Sequence, residues 1–232
     1  MNSSEKYYTT KLYPLQDGVI KIVIDLNLPF YLTGGTVLSR HFFHHRYSDD
    51  LDYFVNDDPH FFDYFQKINN YLLNVKDDSQ LRISSERTLV TNNLIRTFFI
   101  KDDVELKVDF VNDIPIRFGE ILFDNILGRI DNLRNILSNK ISALYRLETK
   151  DFVDVWCICK NYKFIWRELI AEAKQKEISI DPIEISNLFR TIPFQNLRNI
   201  KWIKPFDLNK IISEMLTISD DILEGTENKL FK

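Results

Sequence analysis

The chain has 232 residues, 44% hydrophobic and 28% charged. That is enough for one large domain or two modest ones with a proper core, and it excludes a disordered tail. The net charge of −4 argues against a protein that works only by coating nucleic acid, while leaving room for one basic face. No apolar run reaches membrane-spanning length, and the first fourteen residues lack the apolar core of a signal peptide. Cys157 and Cys159 stand at i and i+2 on a predicted helix, a poor spacing for a disulfide or a metal pair, so a reduced, cytoplasmic protein is expected.

In chain order, residues 15–29 carry the apolar spacing of a buried helix, and residues 30–34 form a short apolar run stopped by glycine, a strand. A helix is predicted from the glycines through Phe43, an alternating strand over residues 50–55, and a helix over residues 58–75 with Pro59 near its start. Residues 80–86, 88–100 and 104–111 are rich in Thr, Val, Ile and Phe at alternating places and read as strands. From about Arg129 onward the spacing is helical: residues 134–147, 150–162, 163–177, 181–192 and 206–225. The expected class is α+β, with an α+β half over residues 1–127 and a helical half over residues 128–232. The join lies between Asn112 and Arg129.

A chain with six glycines places two of them together at Gly34-Gly35, and Asp50-Leu51-Asp52 follows. In a strand, residues i and i+2 share a side, so Asp50 and Asp52 project together while Leu51 faces a core. Two carboxylates that close repel unless a cation lies between them. Mg²⁺ takes hard oxygen ligands, commonly one or two carboxylates plus substrate phosphates, and two such ions can clamp a phosphoryl displacement. A strand that ends in Gly34-Gly35 and opens a helix exposes backbone N–H groups to a phosphate, and Thr36 adds a hydroxyl. Asp109, on a predicted strand beside Asp52, could complete a metal triad and act as base. Lys107 shares its face and could meet a phosphate or offset the acids. Taken singly, a glycine pair is a turn, and alternating carboxylates are a solvated strand edge. The combination in strand–helix–strand context points to a bound nucleoside triphosphate with its metal.

The stretch YLTGGTVLSRHFFHHRYSDDLDYF resembles the signature of the AbiEii/AbiGii toxin family, within the polymerase-β-like nucleotidyltransferases. The matching residues are Gly34, Gly35, Thr36, Arg46, Ser48, Asp50 and Asp52. KVDFV resembles the family's second motif, with Lys107 and Asp109. NKISALYRLETKDFVDVW resembles a helical segment carrying Lys140, Arg146, Asp151 and Asp154, with Lys150 where Arg is frequent. The likeness runs from about Pro29 to Trp156.

The resemblance implies a polymerase-β-like core, a mixed β-sheet flanked by helices, followed by a C-terminal helical bundle. It implies NMP transfer from an NTP to an acceptor hydroxyl, with tRNA or another RNA as acceptor, by the toxin of a bacterial toxin–antitoxin or phage-defence system with a separate antitoxin. On that reading Asp50, Asp52 and Asp109 hold two Mg²⁺ ions, and Asp109 helps deprotonate the acceptor. Gly34, Gly35 and Thr36 hold phosphates with Arg46, Ser48 and Lys107 nearby. Lys140 neutralises triphosphate charge. Asp154 orients Lys140 or contacts base or ribose, and Asp151 caps its helix. The histidines of residues 41–45 receive no role.

Basic residues among aromatics in residues 160–168 and 194–206 suit RNA, although buried tryptophans and a solvated lysine face explain them equally. Transfer to a small molecule such as an aminoglycoside, or a non-catalytic NTP-binding or partner-binding module, remain as alternatives.

Overall fold

The computed structural model describes residues 3–74 and 81–232. Val75 and Gln80, the ends of two predicted elements, lie outside the described residues. The chain forms two compact units. The first holds the residues up to Phe42 together with 47–117 and 121–131; the second holds 43–46, 118–120 and 132–232.

The first unit opens with α1 (Ser3–Tyr7), which runs through a wider-wound π-type stretch, Tyr8–Leu12, into α2 (Tyr13–Asp25). Then come β1 (Tyr31–Thr33) and the short α3 (Gly34–Val37), continued by a π-type stretch from Leu38 to Phe43. β2 (Leu51–Asn56) and α4 (Phe61–Asn74) follow, then β3 (Arg82–Ile83), β4 (Leu89–Val90), β5 (Leu94–Lys101), β6 (Val104–Asp113), β7 (Leu122–Asp124) and β8 (Gly128–Ile130). The strands join in one mixed sheet in the order β3-β5-β6-β2-β1-β8-β7, with β4 also on β5.

β2 runs antiparallel to β1 and parallel to β6, and β1 runs parallel to β8. The tight hairpin joining β5 to β6 turns at Asp102, whose φ of 52° is a left-handed value that Asp tolerates better than most residues. Alternation governs β2: Leu51, Tyr53 and Val55 are buried and the residues between them are partly open. Phe110 lies at the centre of this core. Its ring stacks on Tyr53 at 5.6 Å and meets Phe30 at 5.0 Å and Phe65 at 5.6 Å.

The second unit is helical: α5 (Leu133–Ala143), α6 (Thr149–Asn161), α7 (Trp166–Lys176), α8 (Pro182–Thr191) and α9 (Leu208–Glu224). The helix starts follow ordinary capping chemistry. Asn132, Asp181 and Asp207 accept from backbone N–H groups at the starts of α5, α8 and α9. Gly225, at φ 64°, closes α9. α8 and α9 are joined in the interior by Ser186 and Ser219, whose hydroxyls lie 2.7 Å apart. Phe152 of α6 meets Phe189 of α8 edge-on at 5.1 Å. Trp166 is fully buried and Trp156 nearly so, which assigns both to packing.

Among the described residues, α1, β7 and β8 escaped the sequence. The two strands are three residues long, too short to show a local period; β7 pairs with its neighbour β8, and β8 joins the sheet through a distant partner, Leu32 opposite Ile130. The sheet reaches Ile130 and the helical run begins at Leu133.

Phe110→Ala removes the ring on which three other aromatics pack. It is expected to cost about 3–5 kcal/mol, read from urea denaturation midpoints at unchanged slope.

Candidate active site

The strand register assembles one polar row across the first unit's sheet. Arg96 of β5 pairs with Asp109 of β6, Asp109 with Asp52 of β2, and Asp52 with Thr33 of β1. Residues paired in register project to the same face, so these four side chains line up. Thr33 carries the row one strand further, its hydroxyl donating to Asp131 at 2.9 Å just past β8. The opposite face is apolar, with Leu51 and Val108, direct partners, both fully buried.

Gly34 sits against this row. A Cβ placed there would come within 2.8 Å of Asp52 Oδ2, and the backbone φ is +69°. Glycine satisfies both constraints: the left-handed turn from strand into helix, and the close approach of a carboxylate. Gly35 and Thr36 continue into α3 and are buried. The Thr36 hydroxyl donates to the Asp50 carbonyl and lies 3.0 Å from Ser48 Oγ. The Ser48 carbonyl accepts from Gln16 at 3.1 Å. Thr36 and Ser48 therefore brace the loop that delivers Asp50 and Asp52.

The acids are matched by cations. Lys107 Nζ lies 2.8 Å from Asp50 and 3.9 Å from Asp109. Burial would lower its pKa, but Asp50 and Asp109 outweigh burial and raise it, so Lys107 stays charged. Of the two roles expected for Lys107, the structure displays the offset of the acidic cluster. Arg96 binds both oxygens of Asp109, at 2.8 and 2.7 Å. Asp109, expected as a third metal ligand, thus has both oxygens engaged by a guanidinium. Among the described residues no group of three or more His, Cys, Asp or Glu is arranged to hold a metal ion. The donors nevertheless fit a hard divalent cation: Asp50 and Asp52 both offer carboxylate oxygens, the number Mg²⁺ commonly takes from a protein when a phosphate supplies the rest.

Arg46, Lys140 and Asp154 form a separate cluster inside the second unit. Arg46 grips Asp154 through Nε and Nη2 at 2.8 and 2.7 Å. Lys140, on α5, contacts Asp154 at 2.7 Å and Asp151 at 2.6 Å, both on α6. Burial alone would raise the Asp154 carboxyl, but Arg46 and Lys140 hold it well below the usual carboxylate range. The pair Asp154 and Asp151 likewise outweighs burial at Lys140 and raises its pKa.

Lys140 is therefore committed to two buried carboxylates of its own unit rather than offered as a spare charge. Asp151 does not cap α6: that position is Glu148, without a side-chain bond, and Asp151 joins Lys140 and Arg146.

His45, given no role from sequence, belongs to this cluster. Its Nε2 lies 2.9 Å from Asp154 Oδ1, while Nδ1 is buried with no hydrogen-bond partner among the described residues. Arg96 and Asp131 were also missed. Arg96 alternates with apolar neighbours like any strand residue, and only the register reveals its partner. Cys157 and Cys159 are both buried, and burial pushes the Cys157 thiol up to about 12.

The family model described as the nucleotidyl transferase AbiEii toxin of type IV toxin–antitoxin systems matches residues 23–217. Two Helicobacter pylori crystal structures share the fold. One, described as a candidate nucleotidyltransferase, has a TM-score of 0.62 at 17% identity over 91% of this chain and 93% of its own. The other, JHP933, has a TM-score of 0.61 at 18% identity over 92% and 90%. No curated protein sequence matches the chain.

Gly34→Ala is expected to lower stability by about 1–2 kcal/mol through the left-handed backbone and to displace the Asp52 carboxylate. Thermal melts and the Asp52 position in a crystal structure of the variant check the two effects.

His45 provides a pH signature. Burial, set against the favourable Asp154 contact, lowers its pKa below the ordinary 6.5. Below pH 6.5 the unfolded chain takes up a proton that the folded chain resists. Stability is therefore present above pH 6.5 and lost as pH falls from there toward the folded-state value. Melting temperature should drop across that window in the wild type, and that component of the drop should vanish in His45→Gln.

Proposed function

The chain belongs to the AbiEii nucleotidyltransferase toxin family, and from that premise we propose that it transfers NMP from an NTP to an acceptor hydroxyl on RNA, tRNA foremost, in a Mg²⁺-dependent reaction. The observation that carries the reading is the register Asp52–Asp109, with Gly34 in contact with Asp52. It brings the glycine turn and carboxylates from two strands to one face.

Asp50 and Asp52 are the residues that would hold the divalent cation. Bound there with the nucleotide, it would supply charge stabilisation to the triphosphate and a lowered acceptor pKa. Gly34 and Gly35 give the phosphates close access to backbone N–H groups. Thr36 and Ser48 keep the loop before β2 in place. Asp109 takes the proton of the acceptor hydroxyl. The acceptor oxygen then forms its bond to the α-phosphorus, the bond from that phosphorus to the bridging oxygen breaks, and pyrophosphate departs with the electron pair. Lys107 carries positive charge beside the acids and is available to the phosphates.

We read the first compact unit as the nucleotidyltransferase domain and the second as a helical domain. Arg46, Lys140 and Asp154 act as the internal tie of the latter, joining α5, α6 and the 43–46 segment. Family membership supplies the toxin role and a cognate antitoxin as partner, and defence against phage is the setting we infer for that pair.

α-Labelled NTPs, bulk tRNA and Mg²⁺ are the direct test. Label is expected in RNA with wild type. Asp52→Asn should retain the wild-type melting temperature and lose at least ~100-fold in rate, the equivalent of the few kcal/mol such charge stabilisation provides. A folded Asp52→Asn with full activity would remove the metal-binding role, and label appearing only in an aminoglycoside would replace the RNA acceptor.

A further inference from the structure

Two sets of ion pairs among the described residues contrast in exposure. Arg46 and Asp154 are 6% and 0% exposed at their side chains, and Lys140 and Asp151 are 10% and 1%. Such pairs are locked: separating them strands a charge out of water. Arg96 is 43% exposed although its partner Asp109 is only 9% exposed, and Lys107 and Asp50 are each 27% exposed. These two cations can leave their carboxylates and remain solvated, so exchange is cheap on the cation side. They face the carboxylates that the preceding reading gives to the divalent cation and the proton transfer. Arg96 and Lys107 thus stand against Asp109 and Asp50, beside Asp52.

A divalent cation arriving alone meets carboxylates that are already compensated. It gains little, because it must displace Arg96 or Lys107 or share oxygens with them. An NTP arriving alone finds two cations engaged elsewhere and an acidic face. When both arrive, the partners can be exchanged: triphosphate oxygens take the guanidinium and ammonium groups, and the carboxylates are released to the metal and to the acceptor proton. Arg96 suits this exchange because a guanidinium binds carboxylate and phosphate with the same two-pronged geometry.

We propose that Arg96, with Lys107, is an internal counter-cation that masks the acidic face until nucleotide arrives, making divalent-cation binding and NTP binding mutually dependent. This rests on the nucleotidyltransferase reading of the site. Arg96 pairs with Asp109 before the nucleotide arrives and with the triphosphate after it. By linkage, the factor by which nucleotide tightens metal binding equals the factor by which metal tightens nucleotide binding.

Direct metal binding tests it, with no turnover required. Mn²⁺ affinity of the full chain is measured by calorimetry and by the electron paramagnetic resonance of free Mn²⁺, with and without a non-hydrolysable α,β-methylene NTP analogue. Wild type is expected to bind Mn²⁺ about tenfold more tightly with the analogue than without it. Arg96→Gln is expected to bind Mn²⁺ alone about tenfold more tightly than wild type and to show weaker coupling than wild type. Arg96→Lys, which keeps the charge and loses the fork, should fall between them.

A gain in metal affinity is not an effect that damage to the fold would produce, and circular dichroism confirms that each variant is folded. Unchanged or weaker Mn²⁺ binding in folded Arg96→Gln overturns the proposal, as does the absence of Mn²⁺ binding in every protein with and without analogue. Should Arg96→Gln misfold, Arg96→Lys decides the question by the same comparison. Wild-type transfer to RNA with unaltered coupling in the variants rejects the mask and keeps the enzyme. Analogue-dependent Mn²⁺ binding without transfer to any acceptor rejects the enzyme and keeps the mask.

Discussion

The parallel pairing of β2 with β6 in a register that sets Asp52 beside Asp109 is the constraint on which the site depends. A slip of β2 by one residue would turn Asp52 into the apolar layer, away from Asp109, and bring Leu51 to the polar face. That register is held from behind by the buried layer itself, in which Tyr53 and Phe110 are direct partners and their rings stack. The carboxylates are thus brought together by hydrophobic packing on the far face rather than by any attraction between them. Their repulsion is tolerated because Arg96 and Lys107 stand among them. The same register explains the glycine: Asp52 is pressed against the end of β1, and only a residue without Cβ leaves it room.

The charged residues divide by what they can exchange. In the second unit, Arg46, Lys140, Asp151 and Asp154 form a dry network that fixes α5 to α6 and draws the 43–46 segment into that unit. Its geometry is two-pronged on Arg46 and doubly satisfied on Lys140, the arrangement that makes a buried ion pair tolerable. In the first unit, Arg96 and Lys107 are partly in water, 43% and 27% exposed. Where cations can move, charge can be redistributed when a ligand binds. Where they cannot, charge serves the fold.

Gly34, Asp50, Asp52 and Asp109 gather on one face, whereas Thr36 and Ser48 brace the loop beside them and Arg46, Lys140 and Asp154 tie the helical unit together.

The sequence by itself determined the elements with a local period. β2 alternates, α9 carries its cap and its closing glycine, and the glycine pair marks the strand-to-helix turn, because each is written in neighbouring residues. It also determined which acids could share a face, since i and i+2 along a strand require no partner to be known. Only the tertiary structure decided which strands are neighbours, and so it alone revealed Arg96 on Asp109, Asp131 at the end of the row, and β8 beside β1. It alone moved His45 from an unassigned loop to a buried contact with Asp154 and Asp151 from a helix cap to an ion pair. The reason is physical: periodicity is encoded over a few residues, whereas register and charge pairing join residues as far as 109 apart, and nothing local distinguishes an arginine that will meet a carboxylate from one that will meet water.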